Sequence, residues 1–130
     1  MNVLTFPIDT KPEFGIPMKV EEGIFLLKMP IPYTLDHINL WLLRDADGWT
    51  IVDSGFFSEE SVLLWNKVLA DFCNNEAIQK IIIINFHHDH VGMAQWLAHK
   101  TNASIHMSQF EYLTTQMACP DYSEDQKLVW

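Results

Sequence analysis

Three histidines and one aspartate stand together near the middle of the chain, at His87, His88, Asp89 and His90. Imidazoles beside a carboxylate provide the mixed nitrogen and oxygen donors that suit zinc, iron or manganese. The alternative is a solvated polar loop in which the histidines occur by chance, because any short motif carries a false-positive risk. We predict that this cluster is the centre of a metal site.

The segments on either side of the cluster predict how it is positioned. Residues 78–84 contain four consecutive isoleucines without polar alternation, which favours a strand buried on both faces. The loop that leaves the carboxyl end of such a strand is a usual place for chemistry. After the cluster, Gly92 opens a segment with apolar residues at helical spacing, and a short helix is predicted over residues 92–100.

Three strands are predicted upstream, over residues 23–29, 37–44 and 49–52. The second and third form an antiparallel hairpin, because residues 45–48 are turn residues that tolerate positive φ. Residues 1–22 contain three prolines among mixed polar residues, so we expect an extended N-terminal arm.

Two more helices and a strand complete the expected elements. Ser58 can cap a helix, and an apolar stripe at helical spacing follows it. Residues 103–107 predict a short strand, and a capping-box pattern from Ser108 predicts a helix over residues 109–118. The apolar residues that support the last helix are Phe110, Leu113 and Met117.

The composition limits the size and the partners of the protein. At 130 residues with 48% apolar content, the chain is long enough for one compact domain. Eight lysines and arginines against 17 aspartates and glutamates give a net charge of -9. This balance argues against nucleic acid and anionic membranes as partners.

The compartment expected from the sequence is the cytoplasm. Residues 1–15 have neither a cationic start nor a sustained apolar run, so they do not resemble a signal peptide. The apolar run at residues 81–84 is far shorter than the roughly 20 residues that span a bilayer. Cys73 and Cys119 lack C-x-x-C spacing, and we expect two reduced core thiols.

The sequence of residues 85–92, NFHHDHVG, resembles the H-x-H-x-D-H signature of the metallo-β-lactamase superfamily. His87 matches its second histidine, Asp89 its aspartate and His90 its third histidine. Asn85 stands where the first histidine is expected. The resemblance implies that His87 serves one metal ion, and that Asp89 and His90 serve a neighbouring one.

The resemblance assigns further roles around these ligands. Asp89 is expected to act in catalysis by positioning the ion and the nucleophile, and His88 to face solvent or substrate. Asn85 offers only a neutral amide oxygen, so the first site should be weakened or empty. One branch of the class B β-lactamases also carries asparagine here and works with a single metal ion.

A second resemblance lies upstream, where residues 52–55, VDSG, are similar to the V-D-T-G element of the same superfamily. Asp53 is then expected to orient the metal-binding loop from outside the ligand set. The alternative role is to end a strand and bond the following turn. Residues 35–41 also resemble bacterial hydrolases of this superfamily whose substrates are mostly unassigned.

The fold that the resemblance implies is α/β: a mixed sheet flanked by helices, one of the two β-α halves of the αββα sandwich. The resemblance covers roughly residues 23–119, and we expect residues 23–130 to be a partial domain, truncated at its C-terminus. Family members draw their remaining ligands from the other half of the fold. After His106 the chain has no histidine.

The expected function is metal-dependent hydrolysis of a small ester or thioester by a metal-activated water. This chain would be the N-terminal portion and inactive alone, and its partner would be a second copy or the missing C-terminal half. One alternative is a non-catalytic half-domain that acts in self-association or partner binding. Another is an iron-dependent redox relative on the same scaffold.

Overall fold

Seven strands form one mixed sheet in the computed structural model, which describes residues 3–5, 8–118 and 128–129. Their order across the sheet is their order in the sequence. The strands are β1 (Met18–Glu21), β2 (Ile24–Pro30), β3 (His37–Asp45), β4 (Gly48–Val52), β5 (Ile78–Ile83), β6 (Ser104–Met107) and β7 (Leu128–Val129). Neighbours from β1 to β4 are antiparallel and those from β4 to β7 are parallel. The mixed α/β fold expected from the sequence is confirmed.

The helices of the described residues connect the parallel strands. They are α1 (Glu59–Lys67), α2 (His88–Val91), α3 (Ala94–Thr101) and α4 (Gln109–Ala118). Ser58 caps α1 as predicted, since its hydroxyl oxygen accepts the Ser61 N–H at 3.0 Å. The chain then continues as a π-helical turn at Val68–Phe72, which the sequence did not reveal. Within the described residues, no helix is long and apolar enough to cross a bilayer.

Helices α1 and α3 cover one face of the sheet. The strand order advances in one direction, and right-handed crossovers therefore place both helices on the same side. Strand residues that point to this side share one apolar core with Trp65 of α1 and Leu97 of α3. Those strand residues are Leu27, Met29, Leu40, Leu42, Ile51, Ile81, Ile83, Ile105 and Met107.

The prediction that β5 is buried on both faces is wrong for the described residues. Ile81 and Ile83 are buried under the helices, whereas Ile82 is half-buried and Ile84 is exposed on the opposite face. A run of β-branched residues favours a strand, but it does not reveal whether a second layer covers the far face.

The apolar stripe predicted for α4 faces solvent instead of the core. The helix forms at the predicted residues, but Phe110, Leu113 and Met117 are exposed. Its inward side carries Tyr112 and Thr115 instead. Helical periodicity identifies the helix, whereas the side that packs depends on neighbouring elements.

The end of the predicted N-terminal arm joins the sheet. Strand β1 begins directly after Pro17 and pairs with β2, with Met18 opposite Leu26. Because proline lacks an N–H donor, a strand at the sheet edge forms most readily after the last proline.

The thiol of Cys73 lies in the core, at the end of the π-helical turn. The residue is fully buried, and its backbone N–H donates to the Val68 carbonyl at 2.9 Å. Burial raises the pKa of this thiol to about 12, and the carboxylate of Glu76 adds to the effect. Cys119, also predicted to be a core thiol, lies outside the described residues.

We predict that Cys73 resists alkylation by iodoacetamide at pH 8 in the folded chain. The thiolate is the reactive species, and a thiol of such high pKa forms it in only about one molecule in ten thousand at this pH. Peptide mass spectrometry should find Cys73 unlabelled in buffer and fully labelled in urea. Equal labelling under both conditions would show that the π-helical turn opens in the native state.

Candidate metal centre

The predicted metal cluster lies where β2, β4 and β5 end. These strands run in the same direction, so the loops that follow them meet at one edge of the sheet. The loops comprise residues 31–36, 53–58 and 84–87. This edge, at the carboxyl ends of strands in an open α/β sheet, is where ligands usually bind.

Asp53 connects the loop after β4 to the loop after β5. Its side chain is buried, and its backbone adopts a positive φ of 60°, a conformation that aspartate tolerates better than most residues. One carboxylate oxygen, Oδ1, accepts the Ile84 N–H at 2.9 Å. The other, Oδ2, lies 2.7 Å from Nδ1 of His90. Both predicted roles of Asp53, bonding the turn and orienting the loop, are therefore compatible with one position.

The hydrogen bond with Asp53 determines how His90 presents its ring. In the neutral ring, donation of the Nδ1–H to this carboxylate leaves the lone pair on Nε2. This bond with Asp53 raises the pKa of His90 and outweighs the lowering effect of burial. The carboxylates of Asp53, Asp89 and Glu111 raise the pKa further. The ring is thus oriented by a carboxylate, as histidine ligands of metals are.

Asp89 and His90 bring two donor atoms together. Oδ2 of Asp89 lies 3.8 Å from Nε2 of His90, and both side chains are partly accessible to solvent. Two ligands that each bind an ion at about 2.0–2.2 Å lie within about 4 Å of one another. The pair therefore fits two positions in the coordination shell of a single ion.

The other predicted ligands do not join this pair. His87 is exposed and its ring lies against Phe86, with 4.4 Å between the ring centroids. Asn85 uses its side-chain oxygen to accept the His87 N–H at 2.9 Å, which closes a short turn. His88 is exposed at the start of α2. Within the described residues, no group of three or more His, Cys, Asp or Glu side chains could hold an ion.

Ser54 is a positioning residue that the sequence analysis missed. It is fully buried, its hydroxyl donates to the His90 carbonyl at 2.7 Å, and it accepts the Met93 N–H at 3.1 Å. The Ser54 carbonyl in turn accepts the indole N–H of Trp65 at 2.9 Å. The available signal was the VDSG element, in which a hydroxyl side chain follows the aspartate.

Close backbone contact between the two loops also requires Gly92. A Cβ at this position would lie 2.4 Å from the His88 carbonyl oxygen and 2.9 Å from that of Gly55. The Gly55 carbonyl accepts the Met93 N–H at 3.0 Å, immediately beside this contact. The helical start after the cluster therefore lies directly against the loop that holds Asp53.

The comparisons with known proteins agree with this architecture. Residues 33–120 match the family model of the metallo-beta-lactamase superfamily. A beta-lactamase domain protein from Burkholderia ambifaria is 34% identical, with a TM-score of 0.81 over 87% of this chain and 38% of that one. No match was found among curated proteins.

Two more distant structures share the fold. A metallo-beta-lactamase family protein from Thermus thermophilus is 24% identical, with a TM-score of 0.67 over 80% of this chain and 35% of that one. A metallo-beta-lactamase from Pontibacter korlensis is 10% identical, with a TM-score of 0.67 over 88% of this chain and 52% of that one. The chain thus spans about a third to a half of these proteins.

We predict that Asp53→Ala lowers the free energy of unfolding by about 2–4 kcal/mol, because it leaves the Ile84 N–H and the His90 Nδ1–H without an acceptor. Asp53→Asn is the matched control, since asparagine tolerates positive φ and keeps an oxygen for Ile84. Asp53→Asn should lower the free energy of unfolding by clearly less than Asp53→Ala does. Urea unfolding of the metal-free chain measures both values, and similar losses would contradict the assigned role of the carboxylate.

Proposed function

This chain belongs to the metallo-beta-lactamase superfamily, and from that premise we propose that it is the N-terminal portion of a metal-dependent hydrolase acting on a small ester or thioester. Members of the superfamily are mostly hydrolases and generally bind metal ions, usually zinc. The observation that carries the proposal is the Asp53–His90 hydrogen bond, which leaves Nε2 of His90 beside Oδ2 of Asp89. The cytoplasm is the compartment that we propose.

The proposed roles follow the positions of the side chains. Asp89 and His90 would hold one ion, and Asp89 would also position the nucleophile. His87 would serve a neighbouring ion, with Asn85 as a weak ligand, and His88 would face the substrate. When bound, zinc would polarise the scissile carbonyl and make a water molecule more acidic; iron or manganese also suits these donors.

The proposal includes a second half of the fold. The chain spans 38% of the Burkholderia protein, and its described residues supply two converging donors. A catalytic zinc ordinarily has three protein ligands. The remaining ligands, and most of the groups that bind the substrate, would therefore come from that second half, and the 130 residues alone should hydrolyse little.

A non-catalytic half-domain is the second candidate, and the absence of a third ligand among the described residues favours it. Sequencing the gene beyond Trp130 separates the two candidates. A continuing frame with further histidines supports the hydrolase, whereas an immediate stop supports a self-associating module. An iron-dependent redox relative uses the same donors, and metal analysis of protein purified from its host distinguishes it from a zinc enzyme.

We predict that the 130-residue chain binds zinc with a dissociation constant above about 1 µM. Complete zinc sites release about 10–16 kcal/mol on binding, and two ligands supply only part of that free energy. Isothermal titration calorimetry measures the affinity. A stoichiometric nanomolar site in a monomer would contradict the proposed ligand set.

Two variants locate the weak site. His90→Ala should abolish the residual binding, because it removes one of the two converging donors. His99→Ala is the control, since His99 is an exposed histidine on α3, outside the cluster. If the two variants bind zinc equally, the ion does not bind at His90.

We also propose that the isolated chain self-associates through the face of the sheet opposite α1 and α3. This open face carries half-buried or exposed apolar side chains, namely Leu26, Trp41, Val52, Ile82 and Ile84. Soluble monomers rarely expose contiguous apolar patches larger than a few hundred Å². Sheet-on-sheet packing of two copies around a two-fold axis would bury the patch.

We predict a dimer or higher oligomer at micromolar concentration, measured by light scattering. Ile84→Lys should shift the equilibrium to the monomer, because the lysine charge would lie within the sheet face that self-association buries. Leu63→Lys is the matched control: Leu63 is 64% exposed on α1 and Ile84 is 62% exposed on the open face. A monomeric wild-type chain, or equal effects of the two changes, would overturn the proposal.

A further inference from the structure

The largest side chain that is fully buried among the described residues is Trp65 of α1. Its ring belongs to the apolar core beneath the sheet, and its indole N–H donates to the Ser54 carbonyl at 2.9 Å. A buried tryptophan N–H usually has such a partner, but here the partner belongs to the loop that holds Asp53. The bond therefore joins the core side of α1 to the candidate site.

Ser54 holds α2 through both its backbone and its side chain. Its N–H and its hydroxyl each donate to the His90 carbonyl at 2.7 Å. The Met93 N–H, just after α2, donates to the same hydroxyl at 3.1 Å and to the Gly55 carbonyl at 3.0 Å. The orientation of Ser54 and Gly55 therefore determines where the backbone of His90 lies.

The backbone on either side of Ser54 adopts the left-handed region. Asp53 has a φ of 60° and Gly55 has a φ of 94°. Because glycine adopts positive and negative φ about equally, the peptide between Ser54 and Gly55 has little intrinsic preference for the observed orientation. The bond from Trp65 fixes this peptide, since rotation would leave the indole N–H and the Ser54 carbonyl without each other.

Resting on the proposed hydrolase function, we propose that Trp65 is a positioning residue of the candidate metal centre. It acts through the peptide between Ser54 and Gly55, which holds α2 and with it the donor atoms of Asp89 and His90. Coupling of this kind is reciprocal, so an ion at these donors should in turn stabilise the bond that Trp65 makes. The packing of α1 then contributes to the affinity for the ion.

Trp49 provides a matched control. It is also buried, and it packs against Phe25 and Phe72 near the start of β4, whereas the candidate site lies beyond the end of that strand. Its indole nitrogen has no hydrogen-bond partner among the described residues. Trp49→Phe and Trp65→Phe therefore remove the same atoms from the core, and phenylalanine keeps a ring beside the Arg44 guanidinium. The two changes differ in the bond to Ser54.

Amide hydrogen exchange of the metal-free variants, followed by nuclear magnetic resonance, tests the proposal without relying on activity. In Trp65→Phe, the protection factors of the Ser54 and Met93 amides should fall about tenfold, which corresponds to one hydrogen bond lost from a local opening. In Trp49→Phe they should fall by less than about twofold, because opening of the loop leaves the contacts of Trp49 intact. Unchanged protection in Trp65→Phe, or an equal fall in both variants, would overturn the proposal.

The wild-type chain allows a measurement that needs no substitution, in case Trp65→Phe does not fold. The indole N–H of Trp65 and the amide of Met93 should have protection factors of similar size, because the bonds around Ser54 open together. A protection factor at Trp65 more than about tenfold above that of Met93 would show that α2 opens while the bond of Trp65 persists. That result would refute the positioning role.

Zinc titration of the same samples separates this proposal from the hydrolase proposal. If zinc binds at Asp89 and His90, Trp65→Phe should weaken the binding about tenfold and Trp49→Phe should not. Equal zinc affinity in the wild-type chain and both variants would leave the hydrolase standing and reject the positioning role. Exchange results as predicted, without any zinc response, would reject the metal site and support the role of Trp65 in holding α2.

Discussion

The candidate site depends on the two hydrogen bonds that the buried carboxylate of Asp53 makes. This carboxylate accepts one hydrogen bond from the backbone of Ile84 and one from the ring of His90, so it connects two loops that are far apart in sequence. A buried carboxylate without donors would be strongly destabilising. The two loops must therefore stay together for Asp53 to remain buried, and His90 is held in one orientation as a result.

Tight backbone packing reinforces this connection on the side away from solvent. Ser54 bonds to the His90 carbonyl and the Met93 N–H, and Gly92 leaves no room for a side chain against Gly55. Trp65 extends the network into the core by donating to the Ser54 carbonyl. The packing of α1 is thus coupled to the position of α2, which carries Asp89 and His90, so the stability of the core and the geometry of the candidate site are linked.

The candidate site and the sheet share one feature. Asp89 and His90 bring two donor atoms within 3.8 Å of one another, and no third joins them among the described residues, while one face of the sheet carries apolar side chains that α1 and α3 do not cover. Both features accord with a chain that spans about two fifths of the Burkholderia protein. The second half of such a fold would supply ligands and sheet cover together.

The sequence by itself determined the types and order of most elements, the α/β class and the family, because hydrophobic periodicity, capping residues and short motifs are local signals. It also identified His87, Asp89, His90 and Asp53 as candidates, although their metal-binding roles remain predictions. Only the tertiary structure decided that α4 turns its apolar stripe outward and that one face of β5 stays open. The pairing of Asp53 with His90 was also visible only in the tertiary structure, because the two residues are 37 positions apart and their contact depends on how the parallel strands align.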